Sequence, residues 1–323
     1  MRPVLPSETR VLLPGDLARA QDIAATVTAL VADRDSYVAR QNIDPAFAYP
    51  QANWGDGANN AFRALFDRIR RCDDEAVGQL RAFCQPFTGF RLYEMTIAGM
   101  PPHDLSGYTD ARIAQNLERN LPYVDHWLSL PRHRVFVPPR RFGEIGHDID
   151  GVIVNYDTWA YQERIDLLHD SGALDRLSPT ARVLEIGGGY GALAYWFKQA
   201  YPDCRYTIID LPECLLFSGL YLGLSSVECR TVPNYAADAL QEPFDLVINT
   251  LSMSEMSAEQ VRHYTRLMRK HWLCEGGAFF EQNHDNRSIG LLNAQDLIAE
   301  DLPHRRAIEA PYRYRGQAHL WSL

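Results

Sequence analysis

Val183-Leu184-Glu185-Ile186-Gly187-Gly188-Gly189-Tyr190-Gly191 is the stretch of sequence that decides the fold of this chain. Its first four residues are predicted to form an apolar strand with one acid, and a helix is predicted to begin at Ala192. The glycines between them allow a tight turn and a close approach of the backbone to a ligand. This order of strand, glycine-rich turn and helix is typical of nucleotide-type sites at the edge of a parallel sheet.

Strands and helices alternate from Arg182 to the end of the chain. The predicted strands are Arg182–Ile186, Tyr206–Asp210, Val227–Val232, Phe244–Thr250, Gly277–Gln282, Arg305–Ala310 and His319–Leu323. Such alternation predicts an α/β fold with a doubly wound, Rossmann-like sheet that binds ligands at the carboxyl ends of its strands. Only residues 311–318 link the last two strands. An antiparallel last strand is therefore predicted, because a parallel crossover needs about a dozen residues or more.

The part of the chain before this alternation is predicted to be mainly helical. The predicted helices run from Asp16 to about Arg40, Asn59 to Arg71, Asp73 to Phe83 and Asp110 to about Leu130, and a short strand is predicted at Phe90–Tyr93. A small β-hairpin, Phe142–His147 with Gly151–Asn155, follows, and its polar residues, including Glu144, are interpreted as a solvated turn. A further helix, capped by Asp157 or Thr158, is predicted to end near Ser171.

These patterns divide the chain into two parts. Residues 1–156 are interpreted as a mainly helical region with a small β-hairpin, which covers the acceptor and is a candidate surface for a homodimer. Residues 157–323 are interpreted as the cofactor-binding domain.

Composition excludes several classes of partner. The net charge of −9 gives no electrostatic footprint for nucleic acid or an anionic membrane, so neither is expected as a partner. No apolar run reaches the roughly 20 residues needed to cross a bilayer, and the first residues lack the apolar core of a signal peptide. Since none of the six cysteines forms a C-x-x-C pair, we expect a cytoplasmic protein with reduced thiols.

The glycine spacing alone fits two cofactors. Gly187, Gly189 and Ala192 satisfy G-x-G-x-x-A, a dinucleotide pattern, so an NAD(P)-dependent oxidoreductase is one reading. Asp210 ends the next strand and can accept both ribose hydroxyls of a dinucleotide or of S-adenosylmethionine. Glu185 separates the two, because a carboxylate is unfavourable beside a pyrophosphate but complements a sulfonium and an α-amino group.

With these residues placed, the second half of the chain resembles class I S-adenosylmethionine-dependent methyltransferases over about residues 173–323. The resemblance implies that the cofactor is S-adenosylmethionine. It also implies a cofactor site that contains Glu185, Gly187, Gly188, Gly189 and Tyr190 of the first motif, Asp210 and Leu211 of the second, Asn234 and Tyr235 near the adenine, and Asn249 and Thr250 near the transferred methyl group.

A narrower resemblance is to the bacterial sugar O-methyltransferases. It rests on residues 157–165, 187–191, 210–213 and 249–256, and it extends over about residues 140–290. It implies methyl transfer to a hydroxyl of a small molecule, a sugar or a sugar-bearing natural product. In the first of these segments Tyr161 and Arg164 are candidates to meet the cofactor, since a guanidinium binds a carboxylate in a bidentate manner.

Three residues are candidates for acid–base chemistry. A sugar hydroxyl is a weak acid, so a general base is useful, and His284, Glu255 and Asp285 follow predicted strand ends. No metal is expected, because Asn249 stands where a carboxylate ligand would be needed and no Asp-Asp pair follows the fifth strand. A non-catalytic scaffold that keeps the fold without the chemistry remains a further alternative.

Overall fold

A computed structural model describes residues 2–4, 6–50, 56–84, 124–309 and 317–323. The strands are β1 (Arg2–Val4), β2 (Gly146–Ile149), β3 (Val152–Val154), β4 (Arg182–Ile186), β5 (Arg205–Asp210), β6 (Arg230–Pro233), β7 (Phe244–Thr250), β8 (Leu273–Asn283), β9 (His304–Ile308) and β10 (Gln317–Ser322).

The α-helices are α1 (Pro6–Thr9), α2 (Asp16–Gln41), α3 (Pro45–Ala48), α4 (Asp56–Ile69), α5 (Asp74–Gly78), α6 (Leu80–Phe83), α7 (Tyr156–Asp170), α8 (Ala192–Ala200), α9 (Pro212–Leu224), α10 (Ala258–Leu267) and α11 (Ala294–Asp301). Short 3₁₀ turns cover Arg132–Arg134, Leu174–Arg176, Asn234–Ala239, Met253–Glu255 and Arg287–Ile289, and a π turn covers Met268–Trp272. Within the described ranges, no helix is long and apolar enough to cross a membrane.

The second half forms a seven-stranded sheet in the order β6-β5-β4-β7-β8-β10-β9. Strands β4, β5, β6, β7 and β8 pair in parallel, whereas β10 runs antiparallel to both β8 and β9. The predicted α/β class and the antiparallel last strand are both confirmed. The order of the strands reverses between β4 and β7, and this switch point is where an open α/β sheet binds its ligand.

The central strands are apolar on both faces, as expected when helices cover both sides of a parallel sheet. Val183 of β4 packs into the core on one side, and Leu184 and Ile186 pack into the core on the other. Helix α2 lies over α9, where Ile23 contacts Gly219 and Gly223 so closely that a Cβ on Gly223 would lie 2.7 Å from Ile23. The first half of the chain thus packs directly on the layer of helices that flanks the sheet.

Local structure departs from prediction at several elements. The helix predicted from Asp73 to Phe83 is two short helices, α5 and α6, which meet at Gln79. Asn155, not Asp157 or Thr158, caps α7; its side chain accepts from the backbone of both of these residues. The hairpin is confirmed with shorter strands, and β1 adds a third strand that was not predicted.

Other sequence predictions fall partly or wholly on undescribed residues. The strand predicted at Phe90–Tyr93 lies outside the described residues. So does most of the helix predicted from Asp110 to about Leu130, of which residues 124–129 are helical. A capping box of Ser257 and Gln260 begins α10.

A buried arginine joins the two halves of the chain. Arg81 donates to Glu144 at 2.6 Å and to Asp157 at 2.7 Å, and its guanidinium lies 4.1 Å from the centre of the Tyr190 ring. The hydroxyl of Tyr190 donates to Asp157 at 2.6 Å. The interpretation of Glu144 as part of a solvated turn is therefore wrong, since this residue is only 1% exposed. We call Arg81, Glu144, Asp157 and Tyr190 the arginine cluster.

We expect Arg81→Met to destabilise the protein by about 3–5 kcal/mol, because it leaves two buried carboxylates without their cation. Urea unfolding measures the change. The matched control is Arg230→Met, which breaks an exposed ion pair with Glu242 and should cost less than about 1 kcal/mol. Equal losses in the two variants would contradict a structural role for the arginine cluster.

Candidate cofactor and acceptor site

A cavity of about 310 Å³ opens at the carboxyl ends of β4, β5 and β7. It is lined by Pro50, Ile186, Gly187, Gly189, Ile209, Asp210, Leu211, Cys214, Asn234, Thr250, Leu251, Ser252, Ser254, Glu255, Met256, Gln260, Tyr264, His284, Asn286 and Ile289. Of the predicted cofactor residues, Gly187, Gly189, Asp210, Leu211, Asn234 and Thr250 line it.

The glycine loop forms one wall through its backbone. Gly187 and Gly189 both have positive φ angles, 74° and 56°, which a residue with a side chain rarely adopts. A Cβ on Gly187 would lie 2.2 Å from the Ser252 hydroxyl oxygen. Glycine is thus required at position 187 both by its backbone conformation and by the closeness of the loop that follows β7.

Asp210 presents its carboxylate at the end of β5. One oxygen accepts from the Gly189 amide at 3.0 Å and the other from the Leu211 amide at 2.8 Å. Burial raises the pKa of Asp210 to about 6, although the two backbone bonds oppose that rise. Each carboxylate oxygen keeps further acceptor capacity, so the side chain can accept hydroxyl groups from a ligand in the cavity.

Asn234 carries a buried acceptor with no partner. Its Nδ2 donates to the Phe47 carbonyl oxygen at 2.7 Å, which fixes the orientation of the amide. Its Oδ1 is buried and has no hydrogen-bond partner within the described part of the chain. Such an oxygen calls for a donor, and the exocyclic amine of adenine is one. The N-terminal half therefore takes part in shaping the cofactor site.

Glu185 lies beneath the glycine loop and is not among the residues that line the cavity. It is 2% exposed, and the Tyr206 hydroxyl donates to it at 2.9 Å. Burial raises the pKa of its carboxyl to about 7, while the bond from Tyr206 and the charge of Arg164 act in the opposite direction. The predicted attraction between Glu185 and a cationic ligand therefore acts at a distance, through the glycine loop, and not by direct contact at the cavity wall.

Four other predicted cofactor residues also lie away from the cavity wall. Tyr161 packs against Phe136 and Tyr190 in the core, and the Arg164 guanidinium lies 4.5 Å from the centre of the Tyr161 ring. Tyr190 belongs to the arginine cluster. The hydroxyl of Tyr235 donates to the Leu30 carbonyl oxygen, so this residue anchors α2.

Two more act on the loops from behind. Gly188 packs against Ile208, which a Cβ at position 188 would meet at 2.7 Å. Asn249 is fully buried and donates to the Ile186 carbonyl oxygen at 2.8 Å.

The same cavity also carries candidate acceptor groups. Glu255 and His284 both line it, so the structure brings these two predicted residues together at one cavity. Asp285 is not among the lining residues; its carboxylate is half exposed and pairs with Arg287 at 2.5 Å. Asp285 thus forms an ion pair at the surface, away from the cavity where acid–base chemistry was predicted for it.

In the loop that follows β7, the sequence predicted Glu255 for the site but not Leu251, Ser252 or Ser254. Ser252 and Ser254 line the cavity, as does Leu251, whose φ angle of 64° is unusual for a residue with a side chain. Strained backbone of this kind clusters at functional sites, but no residue type in the sequence announces it. Pro50, from the first half of the chain, was also missed.

Comparison with known proteins matches part of this chain to methyltransferases. The profile of a family described as O-methyltransferase domain matches residues 162–240. A release factor glutamine methyltransferase from Deinococcus radiodurans is 32% identical over 128 residues, which cover 38% of this chain and 45% of that protein. Residues 162–240, which include the glycine loop and Asp210, thus match a methyltransferase domain. The Asn234 oxygen, which has no partner among the described residues, and the Asp210 carboxylate fit the adenosine group of S-adenosylmethionine.

Solved methyltransferase structures resemble about half of the chain. An S-adenosylmethionine-dependent methyltransferase from Clostridium acetobutylicum aligns with a TM-score of 0.42 at 13% identity, over 50% of this chain and 92% of that one. An N-methyltransferase from Bradyrhizobium japonicum, in complex with S-adenosylhomocysteine, aligns with a TM-score of 0.38 at 21% identity, over 52% of this chain and 91% of that one. These likenesses are too distant to bear on the acceptor.

We expect Gly187→Ala to weaken S-adenosylhomocysteine binding at least tenfold, because the methyl group would displace Ser252. Calorimetry measures the affinity. Gly276→Ala is the matched control, since Gly276 has nearly the same φ angle, 75°, but nothing within 4 Å of an added Cβ. Both variants carry about 1–2 kcal/mol of backbone strain, so the control shows how much of the effect comes from lost overall stability. If Ser252→Gly fails to restore any affinity to Gly187→Ala, the clash is not the cause.

We expect the stability of the ligand-free protein to fall between about pH 4.5 and 7 on account of Glu185. Its folded pKa of about 7 exceeds the usual 4.5, so the folded state holds the proton more tightly. This contribution is fully present below pH 4.5 and is lost as the pH rises through 7, and it amounts to about 3 kcal/mol.

Urea unfolding of Glu185→Gln against wild type at pH 5 and pH 8 measures this difference. The variant should gain stability relative to wild type only at pH 8. Glu259→Gln, at an exposed position, serves as the control. A pH-independent difference for Glu185→Gln would refute the assigned pKa.

Proposed function

We propose that this domain transfers the methyl group of S-adenosylmethionine to a hydroxyl of a small molecule, a sugar or a sugar-bearing natural product. One observation carries the proposal. A single cavity joins the adenosine-type groups, Asp210 and Asn234, to the acid–base side chains, Glu255 and His284. Cofactor and acceptor can thus meet within one cavity, as an in-line displacement requires.

Different residues of the cavity serve the cofactor and the acceptor. Asp210 accepts the ribose hydroxyls, and Asn234 accepts from the adenine amine. When bound, the cofactor supplies an electrophilic methyl group on a sulfonium. Glu255 or His284 takes the proton that the acceptor hydroxyl loses as its oxygen forms the new bond to carbon. Imidazole changes protonation near neutral pH, which suits His284 to this role.

A hydroxylated acceptor suits the polar wall beside these two groups. Ser252, Ser254 and Asn286 line the cavity with hydroxyl and amide groups, which can both donate to and accept from sugar hydroxyls. Ile289, 71% exposed, supplies an apolar surface among the lining residues. The match to an O-methyltransferase domain supports oxygen as the acceptor atom, and the resemblance to bacterial sugar O-methyltransferases supports the sugar.

Two other functions remain as alternatives to be tested. The G-x-G-x-x-A spacing is the basis for an NAD(P)-dependent oxidoreductase. A methyltransferase-like scaffold without activity would bind the cofactor and transfer nothing. Calorimetry separates the first alternative, and transfer of a labelled methyl group to a pool of hydroxylated acceptors separates the second.

We expect wild-type protein to bind S-adenosylhomocysteine and not NAD, and Asp210→Ala to weaken that binding roughly 10- to 100-fold, because charged hydrogen bonds are worth about 1.5–3 kcal/mol. Asp203→Ala, at an exposed position, is the control and should bind like wild type. Binding of NAD without S-adenosylhomocysteine would overturn the proposed function. Unchanged affinity in Asp210→Ala would overturn the site alone.

A further inference from the structure

A row of paired positions crosses the sheet from β10 to the cavity. It consists of His319 on β10, Glu281 on β8, Asn249 on β7 and Ile186 on β4. The first three of these side chains are polar. Glu281 is fully buried and His319 is 3% exposed, yet neither is among the lining residues of the cavity. A buried carboxyl in the middle of a sheet is costly unless it has partners, so its contacts show what it serves.

Hydrogen bonds connect this row into one chain. A Glu281 oxygen lies 2.6 Å from Nδ1 of His319, and the other accepts from Nδ2 of Asn283 at 2.9 Å. The same Nδ2 donates to Oδ1 of Asn249 at 2.9 Å. Nδ2 of Asn249 in turn donates to the Ile186 carbonyl oxygen at 2.8 Å and to the Ser252 hydroxyl at 2.5 Å.

The chain has a direction that Glu281 sets. The Glu281 oxygen that faces Asn283 accepts, so it holds the NH₂ group of Asn283 toward itself and leaves the Asn283 oxygen facing the other way. The NH₂ group of Asn283 likewise demands the oxygen of Asn249, which turns the NH₂ group of Asn249 toward Ile186. Reversing Asn283 would set its oxygen against the oxygens of Glu281 and Asn249, and reversing Asn249 would set its NH₂ group against that of Asn283.

The free ends of both amides hold the loop after β7. Oδ1 of Asn283 accepts from the Ser254 amide and Oδ1 of Asn249 from the Met253 amide, each at 3.2 Å. That loop begins at Leu251, whose positive φ angle persists only if its surroundings enforce it. It ends at Glu255, a candidate base.

We propose that Glu281, held by His319, is a positioning residue for the acceptor end of the cavity. It sets the orientation of Asn283 and Asn249, and these two amides fix the loop that carries Ser252, Ser254 and Glu255. The inference rests on the proposed function for its catalytic meaning, but the hold on the loop is a property of the protein without ligand.

A gain in stability is a weak explanation for the buried pair of Glu281 and His319. Replacing buried ionic groups with well-packed apolar residues is often neutral or stabilising. The neighbouring positions of β8, Phe279 and Phe280, are apolar core residues. Glu281 and Asn283 interrupt this apolar pattern, and both belong to the hydrogen-bonded chain that leads to the loop after β7.

Hydrogen exchange of the loop tests the proposal. We compare wild type with Glu281→Gln, which keeps an acceptor for Asn283, and with Glu281→Met, whose side chain has a similar length but offers Asn283 no such acceptor. Phe280→Leu is the control, because it loosens the core packing beside the hydrogen-bonded chain but removes none of the hydrogen bonds of that chain. Exchange of the amides in residues 250–256 is followed by mass spectrometry, and S-adenosylhomocysteine affinity by calorimetry.

Glu281→Met should speed exchange of this loop about tenfold, and Glu281→Gln should stay within about threefold of wild type. His319→Phe, which removes the partner of Glu281, should also speed exchange, and it serves if Glu281→Met does not fold. Phe280→Leu should lower the melting temperature without a selective change in the loop. Affinity for S-adenosylhomocysteine should change less than about threefold, since Asp210 and Asn234 are untouched.

Wild-type exchange in Glu281→Met and His319→Phe would overturn the proposal. So would equal acceleration by Glu281→Gln, or acceleration spread over the whole protein in proportion to lost stability. If wild type fails to bind S-adenosylhomocysteine, the proposed function fails, while the exchange comparison still decides whether Glu281 holds the loop.

Discussion

The buried guanidinium of Arg81 is the interaction on which the arrangement of both halves depends. It bridges Glu144, beside the hairpin, and Asp157, at the start of α7, and it lies over the ring of Tyr190 in the glycine loop. A charge at this depth is tolerated only because two carboxylates surround it. A residue of the first half thus anchors the glycine loop at Tyr190, next to Gly189, whose amide donates to Asp210.

Amide orientation is the second constraint at the site. Protein groups fix the amide orientations of Asn234, Asn249 and Asn283, and of these three Asn234 lines the cavity, where its oxygen is presented as a defined acceptor. For Asn234 the fixing group is the backbone carbonyl of residue 47, and its side-chain oxygen has no hydrogen-bond partner within the described residues. A site built this way selects a ligand by the arrangement of its donors, since a mismatched group leaves a buried atom unsatisfied.

Sequence predicted the fold well because apolar runs and glycines report on it directly. The bounds of β4 and β7 agree with prediction at both ends, since both strands are buried on two faces and bounded by turn residues. Asp210 was predicted for the site because it ends a strand, and Asn234 because the family resemblance places the residues after the third strand near the adenine. Tyr190 and Glu144 were misread, because their roles come from Arg81, more than 60 residues away along the chain from either of them. The positive φ angle of Leu251 leaves no mark in the sequence.

The division at residue 156 describes the sequence pattern better than it describes the packing. One hydrophobic core contains Ala20, Phe66 and Phe83 from the first half together with Leu193 and Phe217 from the second. The first half therefore contributes to the interior as well as covering the site. Because Phe47 orients Asn234 and Pro50 lines the cavity, residues 157–323 alone would lack part of the adenine end of the site. Cofactor recognition in this chain belongs to both halves, although the motif that announces it lies in one.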